Sequence, residues 1–571
     1  MSSDKDFLSC PHSRRISEAM PRPIALKWPF QLPMYRLRQE IMPDTKIHNA
    51  SSHTGMKRQL GLWSMTLSVV TGTIGSGWLF APYLCAKIAG PFSMVAWILG
   101  GLMSFVVAIV FAELGAVITT SGAMATIPLL THGRTSGFIG GWSVCIAYVT
   151  IPTIEVLAMM EYLASKFPWL TMQSGHSQIL SPAGMGCAIA MMALFAWINL
   201  SGVGILAKWV DGLTFWKLTI PLLVSITLML RQSHWGNIEA HLPWDGSVKG
   251  EVLSAVSVGG VLFSLFGFRT SMDLAGEAKN PQRNVPLSMG LGLLICLGIY
   301  MILQLAFIVS VDPSQISHGW QHLVLTAHGG PLVAVALGAG LIWVANLLLI
   351  DAVLSPGATA MAYMGVSARV SWMMGRCELL PKYFQDLNKE SVPWVGLICS
   401  MMIGTLMLFG GPSWQKIVGF LTATQVIALA VGPISLLALR KQLPDVARPF
   451  RLKGAGFFCR VAFVMATWAI LWSGKTAVIW AIGSILVPTA LFLLPQWIKG
   501  RHLELRNGLW WILYLGGMIL ILCVSEAGGW YPLDSRVQML VSALFALAVF
   551  PIAVSSRLEK ISPETELEFR D

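Results

Sequence analysis

The sequence predicts an all-α polytopic membrane protein, and three observations predict it. Of 571 residues, 55% are hydrophobic and only 12% charged, about half the ~25% of a soluble chain. Fourteen continuous apolar stretches follow one another, most of them near the ~20 residues that a spanning helix needs. They are continuous rather than alternating, which excludes a β-barrel. The 54 Gly and 23 Trp fit helices that pack through small residues and are anchored by aromatic belts.

In chain order the expected spans lie near 61–84, 91–118, 136–164, 182–200, 203–230, 251–276, 286–311, 331–365, 394–411, 416–439, 457–474, 476–498, 507–524 and 537–556. The eleventh and twelfth are the least separated, with little more than Gly474 and Lys475 between them. With the N-terminus inside, the inner segments carry 30 Lys and Arg and the outer segments 7. Lys217 and Arg269 fall within spans. This asymmetry predicts that both termini are cytoplasmic. It accounts for the net charge of +11 without a nucleic-acid partner.

Residues 1–60 form a basic, Pro-containing tail without an apolar h-region, so no cleaved signal peptide is expected. Met56, just before the first span, is an alternative start. Asn49-Ala50-Ser51 matches a glycosylation pattern that has no meaning on the cytoplasmic side. The nine cysteines are scattered without a CxxC, and small apolar packing is their expected role. Histidines fall mainly in tails and loops, so no metal or other cofactor is expected.

Two spans contain sequence that resists a continuous helix. Span 1 carries Thr71-Gly72-Thr73-Ile74-Gly75-Ser76-Gly77, and each Gly costs roughly 1 kcal/mol relative to Ala in a helix. Span 6 carries Gly259-Gly260, then Phe263-Ser264-Leu265-Phe266-Gly267-Phe268-Arg269. Unwound backbone at membrane depth survives only where it is buried or lines a wet cavity. Helix packing through small residues is the plainer reading of either span alone. Gly-interrupted spans at matching positions of two halves point instead to a transporter site built on an inverted repeat. Freed amides at the start of a second half-helix can hold a carboxylate, and freed carbonyls at the end of a first half can hold an ammonium. Thr73, Ile74, Gly75, Ser76 and Gly77 are therefore candidate substrate-binding residues, with Phe263, Ser264, Phe266, Gly267 and Arg269 from span 6. Ser76 can add a hydroxyl, and Phe263 and Phe266 can serve as apolar walls or gates.

Several of these residues belong to a longer set. Ile74-Gly75-Ser76-Gly77-Trp78-Leu79-Phe80, Ala112-Glu113-Leu114-Gly115, Gly276-Glu277-Ala278-Lys279-Asn280-Pro281-Gln282-Arg283, Leu379-Leu380-Pro381 and Arg448-Pro449-Phe450-Arg451 occur in that order. Together they resemble the amino acid–polyamine–organocation superfamily over about residues 57–500. Lys87-Ile88-Ala89-Gly90-Pro91, Asp351 with Ser355-Pro356, and Phe268-Arg269 resemble its bacterial aspartate–proton symporter branch. The resemblance implies a ten-helix core of two inverted five-helix repeats with broken helices 1 and 6. It places the repeats at 61–230 and 251–439, about four peripheral helices at 457–556 and a C-terminal tail at 557–571. Many members have twelve helices, so the extra pair is a departure. The resemblance also implies alternating access in a cell membrane, with coupling to an ion or an exchanged solute. No Walker-type motif is present.

Charged groups within spans are costly and are functional candidates. Lys217 lies nine residues beyond Lys208, about 14 Å along a helix. It resembles the span 5 lysine that takes the place of sodium in proton-coupled relatives, and the alternative is a permanently charged structural pair. Arg269, Asp273 and Glu277 share a helix face. Arg269 therefore either pairs with Asp273 or faces the cavity and binds a substrate carboxylate. Asp351, Ser355 and Thr359 form a stripe on span 8, where Pro356 frees a carbonyl. It is either a proton or cation path or a hydrogen-bonded kink. Glu155, near Pro152, is a candidate for the cavity wall, and Glu113 has a structural reading. Lys217, Asp351 and Glu155 are the candidate proton-coupling residues.

The expected function is secondary active transport of an amino acid, aspartate-like if acidic, by proton-coupled symport. The expected partners are the substrate, protons and the lipid bilayer. An amino acid/amine exchanger and a non-transporting sensor of the same fold are the alternatives. A membrane-embedded enzyme would need a loop cluster of His, Asp or Glu, which the short loops lack.

Overall fold

Helices make up nearly all of the chain that the structure, a computed structural model, describes. It describes residue 58 and residues 60–559, except 121, 175–176, 240–247, 326–328, 412, 499–503 and 526–534. Most of the expected N-terminal tail, with Asn49 and Met56, lies outside the described residues, as does the C-terminal tail beyond Glu559.

Expected span 1 is two helices, α1 (Leu62–Thr73) and α2 (Gly77–Ala89). Spans 2 to 5 are α3 (Ser93–Val117), α4 (Ala123–Leu163), α5 (Pro182–Leu200) and α6 (Val203–Arg231). Span 6 is the most fragmented: α7 (Val248–Ser257), α8 (Val261–Leu265), a 3-10 turn at Phe266–Arg269, and α9 (Thr270–Asp273). Span 7 is α10 (Pro281–Ser310), and span 8 is α11 (Pro331–Gly338) with α12 (Ile342–Arg376). Spans 9 and 10 are α13 (Trp394–Leu408) and α14 (Trp414–Gln442). The last four are α15 (Ala455–Trp472), α16 (Lys475–Ile498), α17 (Leu505–Ser525) and α18 (Ser535–Ser555).

Among the described residues, eleven helical stretches are long and apolar enough to cross a membrane, or twelve with the pair bent by 47° around Val258–Gly260. The fourteen expected spans are more numerous for two reasons. The short turn Gly90–Phe92 leaves Gly77–Val117 as one stretch, and α13 has only 15 residues. Two elements differ from the sequence expectation. α4 begins at Ala123 rather than near 136, and it kinks at Gly133, whose φ of 81° a side chain would resist. A small antiparallel hairpin, β1 (Thr171–Ser174) with β2 (Ser177–Leu180), follows α4.

α4 is the most enclosed element. Its apolar window is wholly buried, and it packs on α12 and α14, while α10 packs on α3 and α1. α16, α17 and α18 are each less than half buried. α1 and span 6 meet backbone to backbone. A Cβ added at Gly267 would lie 2.1 Å from Thr73 Oγ1 and 2.5 Å from Thr73 N. Leu60, just before α1, forms a parallel bridge with Ala278 after span 6: Leu60 N donates to Glu277 O at 2.9 Å and Lys279 N to Leu60 O at 2.7 Å. Glu113 has the structural place expected of it. Its buried carboxylate accepts Arg440 Nε at 2.8 Å, Arg440 Nη2 at 2.6 Å and Leu452 N at 2.8 Å, with Arg448 Nε at 3.6 Å.

Candidate substrate and proton site

The break in span 1 runs from Ile74, whose ψ of 91° leaves the helix, to Gly77, where α2 begins. Its carbonyl side is filled by a cation. Lys217 Nζ, from α6, donates to Thr71 O at 3.0 Å, Ile74 O at 2.7 Å and Thr359 Oγ1 at 2.5 Å. Of the polar stripe on span 8, it is Thr359 that meets Lys217. Asp351 is engaged elsewhere, its Oδ1 accepting Trp216 Nε1 at 2.6 Å and Ser355 Oγ at 2.7 Å.

The amide side of the break is filled by a carboxyl group. Ser76 N–H donates to Glu155 Oε2 at 2.6 Å. Glu155 is wholly buried on α4. It fits because Gly75 has no side chain: a Cβ there would lie 2.4 Å from Oε1. The break therefore holds the Lys217 amino group at its carbonyl end and the Glu155 carboxyl at its amide end, where the dipoles of the two half-helices favour a cation and an anion respectively. The hydroxyl of Ser76 accepts Trp414 Nε1 at 3.0 Å. Trp414 stacks on Phe80 at 4.7 Å and meets Phe263 edge-on at 5.8 Å, so an aromatic cluster covers this end of the break.

A small cavity joins these groups. It is lined by Gly72, Thr73, Ile151, Glu155, Phe263, Thr359, Tyr363 and Gln425, and it leaves ≈ 10 Å³ open to the centre of a water. That is room for about one water, so an amino acid enters only as the surrounding helices move. Of the expected substrate residues, Thr73 and Phe263 line this cavity. Gly77 instead packs on span 6, where an added Cβ would lie 2.2 Å from Ser264 Oγ. Phe266 is buried and meets Phe268 edge-on at 6.2 Å.

Arg269 does not line the cavity. It is wholly buried, and its guanidinium lies 4.7 Å over the Tyr148 ring. The Tyr148 ring is 5.4 Å from that of Tyr363, a cavity-lining residue. Nε donates to Phe266 O at 3.2 Å, and among the described residues Nη1 and Nη2 have no hydrogen bond of good geometry, with the Tyr363 hydroxyl and the Asp273 carboxylate as electrostatic neighbours. The Arg269 and Asp273 side chains make no ion-pair contact within 4.0 Å, whereas Arg369–Glu277 and Glu113 with Arg440 and Arg448 do. Asp273 accepts the Tyr148 hydroxyl instead.

Sequence reasoning missed Tyr148, Tyr363, Gln425 and Trp414. An aromatic or amide side chain in an apolar span carries no charge to mark it, and all four lie far in sequence from either break.

The sequence is similar to known amino acid transporters. A family profile described as amino acid permease matches residues 60–529. The aspartate-proton symporter of Bacillus subtilis (strain 168) is 29% identical over 520 residues, covering 89% of this chain and 98% of its own. The glutamate/serine transporter AimA of the same organism is 28% identical over 511 residues, covering 88% and 94%. The branched-chain amino acid permease BcaP, also from that organism, is 24% identical over 458 residues, covering 78% and 94%.

Proposed function

This chain belongs to the amino acid permease family, and we propose that within it the protein is a proton-coupled symporter of an acidic amino acid. The chain is a multi-pass membrane protein and an amino acid transporter, not an enzyme. The choice of an acidic substrate is carried by Arg269, a buried guanidinium with both terminal nitrogens unpartnered and no acid in salt-bridge reach. A buried charge is costly unless it is paired. A forked donor set is the natural receptor for a carboxylate. The two Bacillus relatives named for aspartate and for glutamate/serine support the same reading.

In this reading the substrate α-carboxylate takes the Ser76 amide at the start of α2, and its α-ammonium takes carbonyls at the end of α1. Thr73, Ile74, Gly75, Gly77, Phe263, Ser264, Phe266 and Gly267 shape the pocket. The side-chain carboxylate reaches Arg269 once Tyr148 and Tyr363 part. Lys217 is the proton carrier that clamps α6 against α1 and α12. Asp351 and Glu155 are the other buried acids that can take part. Both termini face the cytoplasm, with the Lys- and Arg-rich face inside.

The test is radiolabelled uptake by the purified chain in proteoliposomes, with and without an imposed pH gradient. Concentrative uptake of aspartate or glutamate that needs the gradient is the expected result. Gradient-independent counterflow of an amino acid against its amine would favour the exchanger.

A further inference from the structure

Glu155 sits where the reading above seats the substrate's own carboxylate, and the consequence rests on that reading. We infer that Glu155 is an internal stand-in for the substrate carboxylate, and that it must take up a proton and leave the Ser76 amide before substrate binds.

The argument is geometric. Of the amides at the start of α2, that of Ser76 is taken by Glu155 Oε2 at 2.6 Å. The other oxygen, Oε1, has no hydrogen-bond partner and lies against the bare Cα of Gly75. The carboxylate thus fills the concavity that the glycine leaves. Lys217 holds the opposite pole of the same break through Ile74 O. With Glu155 ionised, the two side chains reproduce the charge pattern of a zwitterion, anion on the amide and cation on the carbonyl. Two carboxylates cannot both be ionised in one such seat, because like charges at hydrogen-bond spacing repel strongly. A protonated Glu155 loses the charge-assisted bond, which is roughly twice as strong as a neutral one. It then yields the amide to an ionised substrate.

The titratable and charged groups that face Glu155 are few. Lys217 comes from α6, Tyr300 from α10 and Tyr363 from α12, while α14 contributes the uncharged Gln425. No cation among the described residues lies within salt-bridge distance of it. The proton enters from the side from which substrate arrives and adds to the Glu155 carboxylate. It leaves when the substrate departs and the carboxylate returns to Ser76. One proton on Glu155 then accompanies each substrate.

The experiment uses the full chain purified in detergent, with radiolabelled L-aspartate, L-glutamate and L-serine as probes. In the wild type, affinity should weaken about tenfold per pH unit above the titration of the linked group. Above that titration, binding should also take up one proton per substrate, read with a pH dye in weak buffer. Glu155→Gln mimics the protonated acid. It should flatten the pH dependence, remove the proton uptake and still bind substrate. Proton-free binding by the wild type overturns the inference and leaves the transporter reading standing. So does a Glu155→Gln variant that keeps the tenfold dependence. The wild-type dye measurement decides the matter if Glu155→Gln does not fold. Failure of the wild type to bind any of the three amino acids overturns the acidic-substrate reading and this inference together.

Discussion

Lys217 of α6 and Thr359 of α12 meet at 2.5 Å, and both reach the same two carbonyls, Thr71 O and Ile74 O, at the end of α1. A single ammonium therefore ties three helices together at the point where the first is broken.

Lys217→Ala removes that tie and leaves buried acceptors unpaired, at about 1–3 kcal/mol each. Gradient-driven accumulation should fall to equilibrium, with a lower melting temperature and residual exchange. Lys217→Arg keeps the charge but cannot release it, so it too should fail to accumulate substrate. Normal accumulation by Lys217→Arg, measured as concentrative uptake against pH, would take the carrier role from Lys217 and leave it to Glu155 or Asp351.

Arg269→Gln removes the only unpaired fork described beside the cavity. Aspartate and glutamate should lose roughly 10–150-fold in affinity, the equivalent of about 1.5–3 kcal/mol for a charged hydrogen bond. Neutral amino acids should lose much less. Competition binding with a panel of amino acids reads this directly. An equal loss for serine and aspartate would assign Arg269 a structural role beneath Tyr148.

Glycine substitutions should rank by what their new Cβ meets. Gly267→Ala meets the backbone of Thr73 and Gly72 at 2.5–2.6 Å, which cannot move aside, so folded protein should be lost. Gly77→Val meets Ser264 Oγ and should lower melting temperature as well as binding. Gly290→Ala meets nothing within 4 Å and should be neutral. Size-exclusion profiles of the three after detergent extraction are the measurement, and a monodisperse Gly267→Ala would contradict the close approach of α1 and span 6.

Glu113→Ala strips the partner from Arg440 and from the nearly buried Arg448. Losing one side of a buried pair costs roughly 3–5 kcal/mol, so thermal stability should drop clearly. Substrate selectivity in the surviving protein should be unchanged, because the cluster does not touch the cavity. A selectivity change in a binding panel would tie Glu113 to transport.

The helical scaffold was legible because hydropathy is local: each apolar stretch coincides with one helix or with consecutive pieces of one. The break at Ile74–Ser76 was legible from glycine spacing, and the burial of Lys217 from its depth in span 5. What occupies each pole of the break was not. Glu155 is about eighty residues from Ser76 in sequence, and only tertiary packing brings α4 to it. The Arg269–Asp273 pair had the right helical spacing, but the 3-10 turn at Phe266–Arg269 and Tyr148 redirect both side chains. The helical start of α4 at Ala123 was hidden by its Thr, His and Gly residues, which dilute the apolar signal.

The bridge between Leu60 and Ala278 has a kinetic consequence. Its two backbone hydrogen bonds fasten the leading end of α1 to the trailing end of span 6. Either segment swinging alone breaks both bonds, whereas the two travelling together break neither. A joint movement of the two segments, which also touch at Gly267, is therefore expected to cost less than a separate one. Turnover should then be sensitive to the stiffness of this clip as well as to the chemistry of the pocket.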